Sequence, residues 1–448
     1  MRISNPMITN TMMININRNM GKMSDYYNQL STGKRIQFTS DDPIIAARAL
    51  KFRTSVKETQ QYQKNVNQGI SWMEITEKGF SNVNSIIEKV RELCVQGATD
   101  TYGYEDRKKI GAVVDSLWEQ LGLEMNITYT GRYVFSGYRT DKPPVITEDS
   151  GEQYTVAQHF SVGDVQETKS YQNLSPTGDP IVNDIKIIKL PYNSTNNGLA
   201  GVTVSGFGAA VSKSASDPTA YDGSALTYIE ETGEVVFPSG AAIPDTFDVN
   251  YQINSLKKGD LNPEVYFEST RLSDGQYFDM AGQSLEYEFG VNTRVDINSL
   301  AKDVYTDKFY ADLKDFVKFI NSVQVSSETE LAALGVTGQA ATDTITKQQQ
   351  AAQVALQDRF SDMLAMMDEY SKTVSKEHAD LGSRMNRLEL IENRLMDDEV
   401  TYTSLLSKNE DTDYMEVIMN LKSAESIYQA SLQTGAKIIQ MTLANFIS

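Results

Sequence analysis

Apolar residues fall at helical spacing along both ends of the chain and lose that spacing in the middle. Near the start, Met12, Ile16, Met20, Met23, Tyr27 and Leu30 recur at steps of three, four or seven. Near the end, Val417, Leu421, Ala424, Tyr428, Leu432, Ile439, Leu443 and Phe446 follow the same rule. Such steps gather side chains on one helix face. A stripe that continues to the last residues must be covered, either by the other terminus or by a neighbouring subunit. Both rows, apart from Ala424, are therefore the expected subunit-assembly residues.

Two longer helical patterns lie inside these ends. The first opens at Asp42-Pro43. A carboxylate can accept from the free N–H groups of a first turn, and proline there loses no helix hydrogen bond. Its stripe runs through Ala49, Phe52, Val56, Val66, Ile70, Met73, Phe80, Val83, Ile87, Val90 and Cys94 to about Gly97. A shorter helix is predicted over Glu105–Met125, and helix returns over Asp303–Val323. After a polar stretch, Ser326–Thr344, comes a heptad row: Leu356, Phe360, Met363, Met367, Tyr370, Val374, Leu381, Leu388, Ile391 and Leu395. Only Glu377 and Arg384 break it. Repeats of this kind predict coiled-coil packing over a helix of about 50 residues. Asp413 is placed to cap a last helix, with Glu416 three residues on.

From Asp141 to about Leu300, glycine, proline and tyrosine accumulate. Phe247, Val249, Tyr251 and Ile253 alternate, as in a strand with one buried face. Leu226–Ile229 and Val235–Phe237 flank Glu231-Thr232-Gly233, a hairpin pattern. The expected fold is α+β: a long antiparallel helical bundle built from both chain ends, with terminal coiled-coil helices and an inserted β-rich domain. The expected divisions are 1–40 with 410–448 (terminal assembly), 41–140 with 301–409 (helical bundle) and 141–300 (variable insertion). The chain should leave the bundle after Gly137 and return before Asp303 at neighbouring points, so the insertion is expected to be removable.

The chain's 448 residues suffice for two or three domains. Its formal net charge is −19, which argues against a nucleic-acid partner. Asp141–Leu300 carries 23 acidic and 9 basic residues, whereas residues 1–40 set Arg2, Arg18, Lys22, Lys34 and Arg35 against Asp25 alone. No apolar run approaches the roughly 18 residues that would span a bilayer. The first residues lack the pattern of a cleaved Sec signal, so Sec export is not expected. One cysteine, Cys94, excludes an internal disulfide and reads as a small buried side chain. With only His159 and His378, no nucleophile–histidine arrangement or zinc motif is present, and no P-loop or dinucleotide-binding glycine pattern occurs. Asn409-x-Asp411-x-Asp413 starts like a calcium loop, but Tyr414 replaces its glycine and Asn420 its bidentate carboxylate. No catalytic residue, cofactor or metal is expected.

Leu30–Ile36 (Leu-Ser-Thr-Gly-Lys-Arg-Ile), then Ser40-Asp41-Asp42-Pro43 and Ala46-Ala47-Arg48-Ala49-Leu50, resemble the flagellin-like proteins of the bacterial flagellum. Gly131–Gly137 (Gly-Arg-Tyr-Val-Phe-Ser-Gly) and Tyr428–Gln440 are similar to further segments of that family. The Asp-Asp-Pro form resembles its hook-associated junction branch; flagellins usually carry Asp-Asp-Ala. Met441 stands where the family often has proline. The likeness covers roughly 1–145 and 300–448. It implies a secreted structural subunit of the extracellular flagellum at the hook–filament junction, exported unfolded through the flagellar type III apparatus. It implies self-association and contacts with other axial proteins, hook-associated protein 1 and flagellin, and a cytoplasmic export chaperone at the C-terminal helix. The alternatives are a flagellin filament subunit, or an adhesin acting through residues 141–300.

Overall fold

The computed structural model describes residues 5–172, 181–279 and 282–447, with side chains described over 7–168, 170, 183–279 and 282–437. The chain forms two compact units. The first comprises Met1–Val66, Phe289–Asn292 and Glu389–Ser448; the second comprises Asn67–Glu288 and Thr293–Leu388.

The first unit holds the terminal helices α1 (Asn5–Thr32) and α10 (Tyr414–Ile447), together with the start of α2 (Pro43–Ala98) and the end of α9 (Gln339–Glu410). Asp42 caps α2 as its sequence predicts: Oδ1 accepts from Ile44 N–H at 2.9 Å and Ile45 N–H at 3.1 Å. Asp413 does the same for α10, accepting from Met415 and Glu416 N–H at 3.0 and 3.3 Å. α9 runs for 72 residues, well beyond its heptad row, because polar residues with good helix propensity extend it at both ends.

In the second unit, α3 (Tyr104–Met125) packs on α7 (Asp307–Ser322). The expected helix over Asp303–Val323 is broken. A short α6 (Ala301–Val304) ends at the buried Tyr305, and Thr306 restarts the helix by accepting from Phe309 N–H at 3.1 Å. Every heptad residue from Leu356 to Leu395 is buried. A short α8 (Glu328–Ala333), started by a Ser327/Glu330 capping box, interrupts the polar stretch before α9.

The inserted region makes two large sheets, and Glu286–Gly290 and Thr293–Asp296 form a further two-stranded one. One has the order β4 (Gln166–Gln172), β5 (Ile181–Lys189), β10 (Glu234–Val236), β9 (Thr227–Ile229) and β8 (Val211–Lys213), and only β8–β9 is parallel. The other is antiparallel throughout: β13 (Tyr277–Phe278), β12 (Glu268–Arg271), β3 (Tyr154–Ser161), β11 (Thr246–Ile253), β6 (Ala200–Val204) and β7 (Gly208–Ala209). β11 buries Phe247, Val249, Tyr251 and Ile253, as alternation predicts. The predicted hairpin is β9–β10. Its Gly233 has φ +84°, and a Cβ there would lie 2.5 Å from the Tyr192 carbonyl oxygen.

The chain leaves and re-enters the helices at adjacent points, Ala301 N–H donating to Phe135 C=O at 2.8 Å. Buried charges then bind strands to helices. Lys189 of β5 sits 3.2 Å from Asp312 and 3.0 Å from Asp315 of α7. Arg359 of α9 also pairs with Asp315, and Tyr370 donates to Asp312 at 2.5 Å. Arg384, one of the two residues that break the heptad, donates to Asn298 C=O at 2.7 Å and to Ser299 Oγ at 3.0 Å.

Candidate assembly interface

α1 and α10 run antiparallel along one seam. On α1 a row of buried or half-buried positions runs Met12, Ile16, Asn19, Met23, Tyr26 and Leu30, with Thr9 and Gln29 also half-buried; on α10 the row runs Val417, Leu421, Ala424, Tyr428, Ser431 and Gly435, with Asn420 and Glu425 also half-buried. Both rows step by four and three, the spacing of knobs-into-holes packing. Direction is fixed by two contacts. Tyr27 OH donates to Glu425 Oε1 at 3.0 Å, and a Cβ on Gly435 would overlap the Met12 thioether. Glycine at 435 thus lets the two helices close on each other.

A second apolar row flanks the seam. Met13, Met20 and Tyr27 stand seven residues apart and are 54%, 53% and 51% exposed. Leu432, 46% exposed, is seven residues after Glu425, the partner of Tyr27. An antiparallel heptad pair places Met20 and Leu432 along the same edge. Met7 and Ile14 on α1, and Met415, Ile418, Met419 and Ile427 on α10, add further exposed apolar surface. Methionine is flexible and polarizable, and suits a surface that must fit partners of differing shape.

The expected assembly residues therefore divide. Ile16, Val417 and Leu421 are buried in the intrachain seam, with Met12, Met23, Leu30 and Tyr428 half-buried along it. Met20, Tyr27 and Leu432 face outward. Ile439, Leu443 and Phe446 lie outside the residues whose side chains are described. Met13, Ile14, Met415, Ile418 and Met419 went unpredicted, although the seven-residue spacing of Met13, Met20 and Tyr27 was a usable signal.

Elsewhere the titratable groups have structural surroundings. Cys94 is buried, and desolvation pushes its thiol up to about 12. His378 stacks on Phe80 with ring centroids 5.6 Å apart. His159 lies on the exposed face of β3, its Nδ1 2.5 Å from Asp248 Oδ1 on β11. Among the described residues no group of three histidine, cysteine or carboxylate side chains could hold a metal ion, and no helix is long and apolar enough to cross a membrane.

Residues 3–140 match the bacterial flagellin N-terminal helical region, and residues 364–447 match its C-terminal helical region. Both ends of the chain belong to the flagellin-like family. The matched regions contain both terminal helices and the seam between them. Flagellar hook-associated protein 3 of Escherichia coli is 28% identical over 189 residues, covering 41% of this chain and 58% of that protein. Its Salmonella typhimurium namesake is 29% identical over 145 residues, covering 32% of this chain and 46% of that protein. The chain thus spans about half the length of the hook-associated relatives it matches. Flagellin of Salmonella typhimurium is 24% identical over 485 aligned positions, covering 95% of each chain. Among solved structures, a putative flagellar hook-associated protein from Vibrio parahaemolyticus aligns with a TM-score of 0.41 at 11% identity, covering 83% of this chain and 100% of that one.

Proposed function

We propose that this flagellin-like chain is a structural subunit of the bacterial flagellum, placed between hook and filament in the role of hook-associated protein 3. The observation that carries the reading is the terminal helix pair, which matches flagellin's end regions and leaves an apolar edge outside its own seam. That edge, with the stripe residues Met20, Tyr27 and Leu432 on it, is the surface for neighbouring subunits. On this reading 1–40 with 410–448 serve assembly, 41–140 with 301–409 form the helical body, and 141–300 is the variable insertion. Neighbours are further copies of the chain, hook-associated protein 1 and flagellin. The subunit is secreted and extracellular, and a cytoplasmic chaperone holds the C-terminal helix before export. The role requires packing and no catalysis.

Antibody labelling of isolated hook–filament structures tests this. Label confined to a short zone at the hook's distal end supports the reading, and label along the filament refutes it. The second reading, a filament subunit, is favoured by the alignment with Salmonella typhimurium flagellin over 95% of both chains. In that case the chain would dominate sheared filaments by mass.

A further inference from the structure

A cleft of about 1030 Å³ opens inside the second unit, between the sheet that holds β5 and β10, helix α7 and the segment around α8. Ile185, Phe319 and Leu334 give it apolar walls, and Lys318 of α7 lines it, half-buried. Among the described residues the Lys318 ammonium has no ion-pair or hydrogen-bond partner. The neighbouring cations differ. Lys189 and Arg359 share Asp315, and Lys314 meets Asp260 at 2.7 Å. The carboxylates of the cleft are committed elsewhere. Glu231 accepts from Ser214 Oγ at 2.6 Å and from Ala215 N–H at 2.8 Å. Glu234 accepts from Tyr221 OH at 2.9 Å and from Thr232 Oγ1 at 3.0 Å, and Glu330 from Ser327 N–H at 2.8 Å.

We propose that Lys318 is a covalent carbonyl-binding site, its amine condensing with small neutral aldehydes that enter the cleft. A lysine becomes nucleophilic when it is desolvated in a pocket or set beside another cation. Both conditions hold at Lys318. Burial and then Lys314, one turn earlier on α7, push its ammonium down to about 8. Asp315, Asp260 and Glu234 pull the other way and do not offset them. Arg359 of α9, Glu231 and Glu330 are the other charged groups on the cleft wall. Near neutral pH an ordinary exposed lysine is almost wholly protonated, whereas Lys318 keeps a usable neutral fraction. The carboxylates around the cleft disfavour an anionic ligand, and a neutral carbonyl compound enters without that penalty. The apolar walls hold its hydrocarbon part. In the reaction the nitrogen lone pair attacks the carbonyl carbon, and the C=O π pair moves to oxygen. A proton passes from nitrogen to that oxygen, and water leaves to give the imine. Amine plus aldehyde becomes imine plus water, so no oxidant or reductant is consumed.

The test uses the full-length chain and is independent of the assembly role proposed above. The protein is exposed briefly to butanal with sodium cyanoborohydride, which traps imines as secondary amines, and labelled lysines are quantified by peptide mass spectrometry. At about pH 7 Lys318 should be labelled on the order of tenfold faster than the exposed Lys109 and Lys376. The advantage should disappear at about pH 10, where ordinary lysines also lose their protons. It should disappear in urea as well, where the cleft no longer exists. Ser322→Asp places a carboxylate four residues after Lys318, at the exposed end of α7, and should lower the advantage severalfold. Ser322→Asn should keep it. Labelling of Lys318 no faster than Lys109 and Lys376 at about pH 7 would overturn the proposal. So would an advantage that survives in urea, or equal labelling in Ser322→Asp and Ser322→Asn.

Discussion

Lys189 shows how much a single side chain can hold. Its ammonium is buried between Asp312 and Asp315 and brings β5 into that network. Lys189→Met keeps the bulk but leaves two buried carboxylates short of a cation, which costs about 3–5 kcal/mol. Chemical denaturation should show the loss in the second unit. The pH response follows. Burial raises the Asp315 carboxyl, but Lys189 and Arg359 outweigh burial and hold it below the ordinary range. A depressed carboxylate stabilises the fold above its unfolded pKa, and that contribution disappears as pH falls through the folded value. Lys189→Met should therefore move acid unfolding to higher pH. His159 has the opposite sign. Its hydrogen bond to Asp248 raises the imidazole above 6.5, so its contribution is complete below that value and is lost as pH rises through the folded pKa. An NMR titration should show the His159 pKa falling in Asp248→Asn; an unchanged value would mean that the contact does not hold the proton.

At the scale of elements, the terminal helices separate two roles that share one apolar composition. Leu421 is buried in the α1/α10 seam and Leu432 is exposed beside it. Leu421→Asp buries a charge without a partner, which costs several kcal/mol and should unpair the two helices in the monomer. Leu432→Asp should leave the monomer's circular dichroism unchanged and block incorporation into hook–filament structures. Normal motility with Leu432→Asp would remove the outer edge from the assembly surface. The seam also explains Gly435: Gly435→Leu should destabilise α10 at the Met12 crossing, and faster hydrogen exchange there would register it.

At the scale of the molecule, the inserted strands are part of the fold they interrupt. Their entry and exit are adjacent at Phe135 and Ala301, which favours removal by a short linker. The contacts beyond those points oppose it. Removing 141–300 would strip Lys189 from Asp312 and Asp315, and Asn298 and Ser299 from Arg384. The expected product keeps its helix content but melts below the parent and with less cooperativity in differential scanning calorimetry. A deletion variant with the parent's transition would show that these buried charges contribute little.

Much of this architecture is local and could be read along the chain. Helices follow from three-and-four spacing, the start of α2 from Asp42-Pro43, and β11 from alternation, because each depends on residues a few positions apart. The apolar rows at the two ends were legible for the same reason. The inward side of α9 was legible from its heptad row, but that of the terminal helices was legible only in part. After Tyr428 the apolar pattern moves to Leu432, yet the seam takes Ser431 and Gly435, because close approach at Met12 rewards small size over hydrophobicity. Strand order was equally hidden, since β12 pairs with β3 across more than a hundred residues and β8 runs parallel to β9. Arg384 read as a flaw in a heptad until its carbonyl partners, 85 or more residues away, were in place. The sequence determined which segments are helix or strand through short-range backbone and side-chain preferences. Only tertiary packing decided which apolar and charged groups face one another, because those pairings join residues that no local pattern connects.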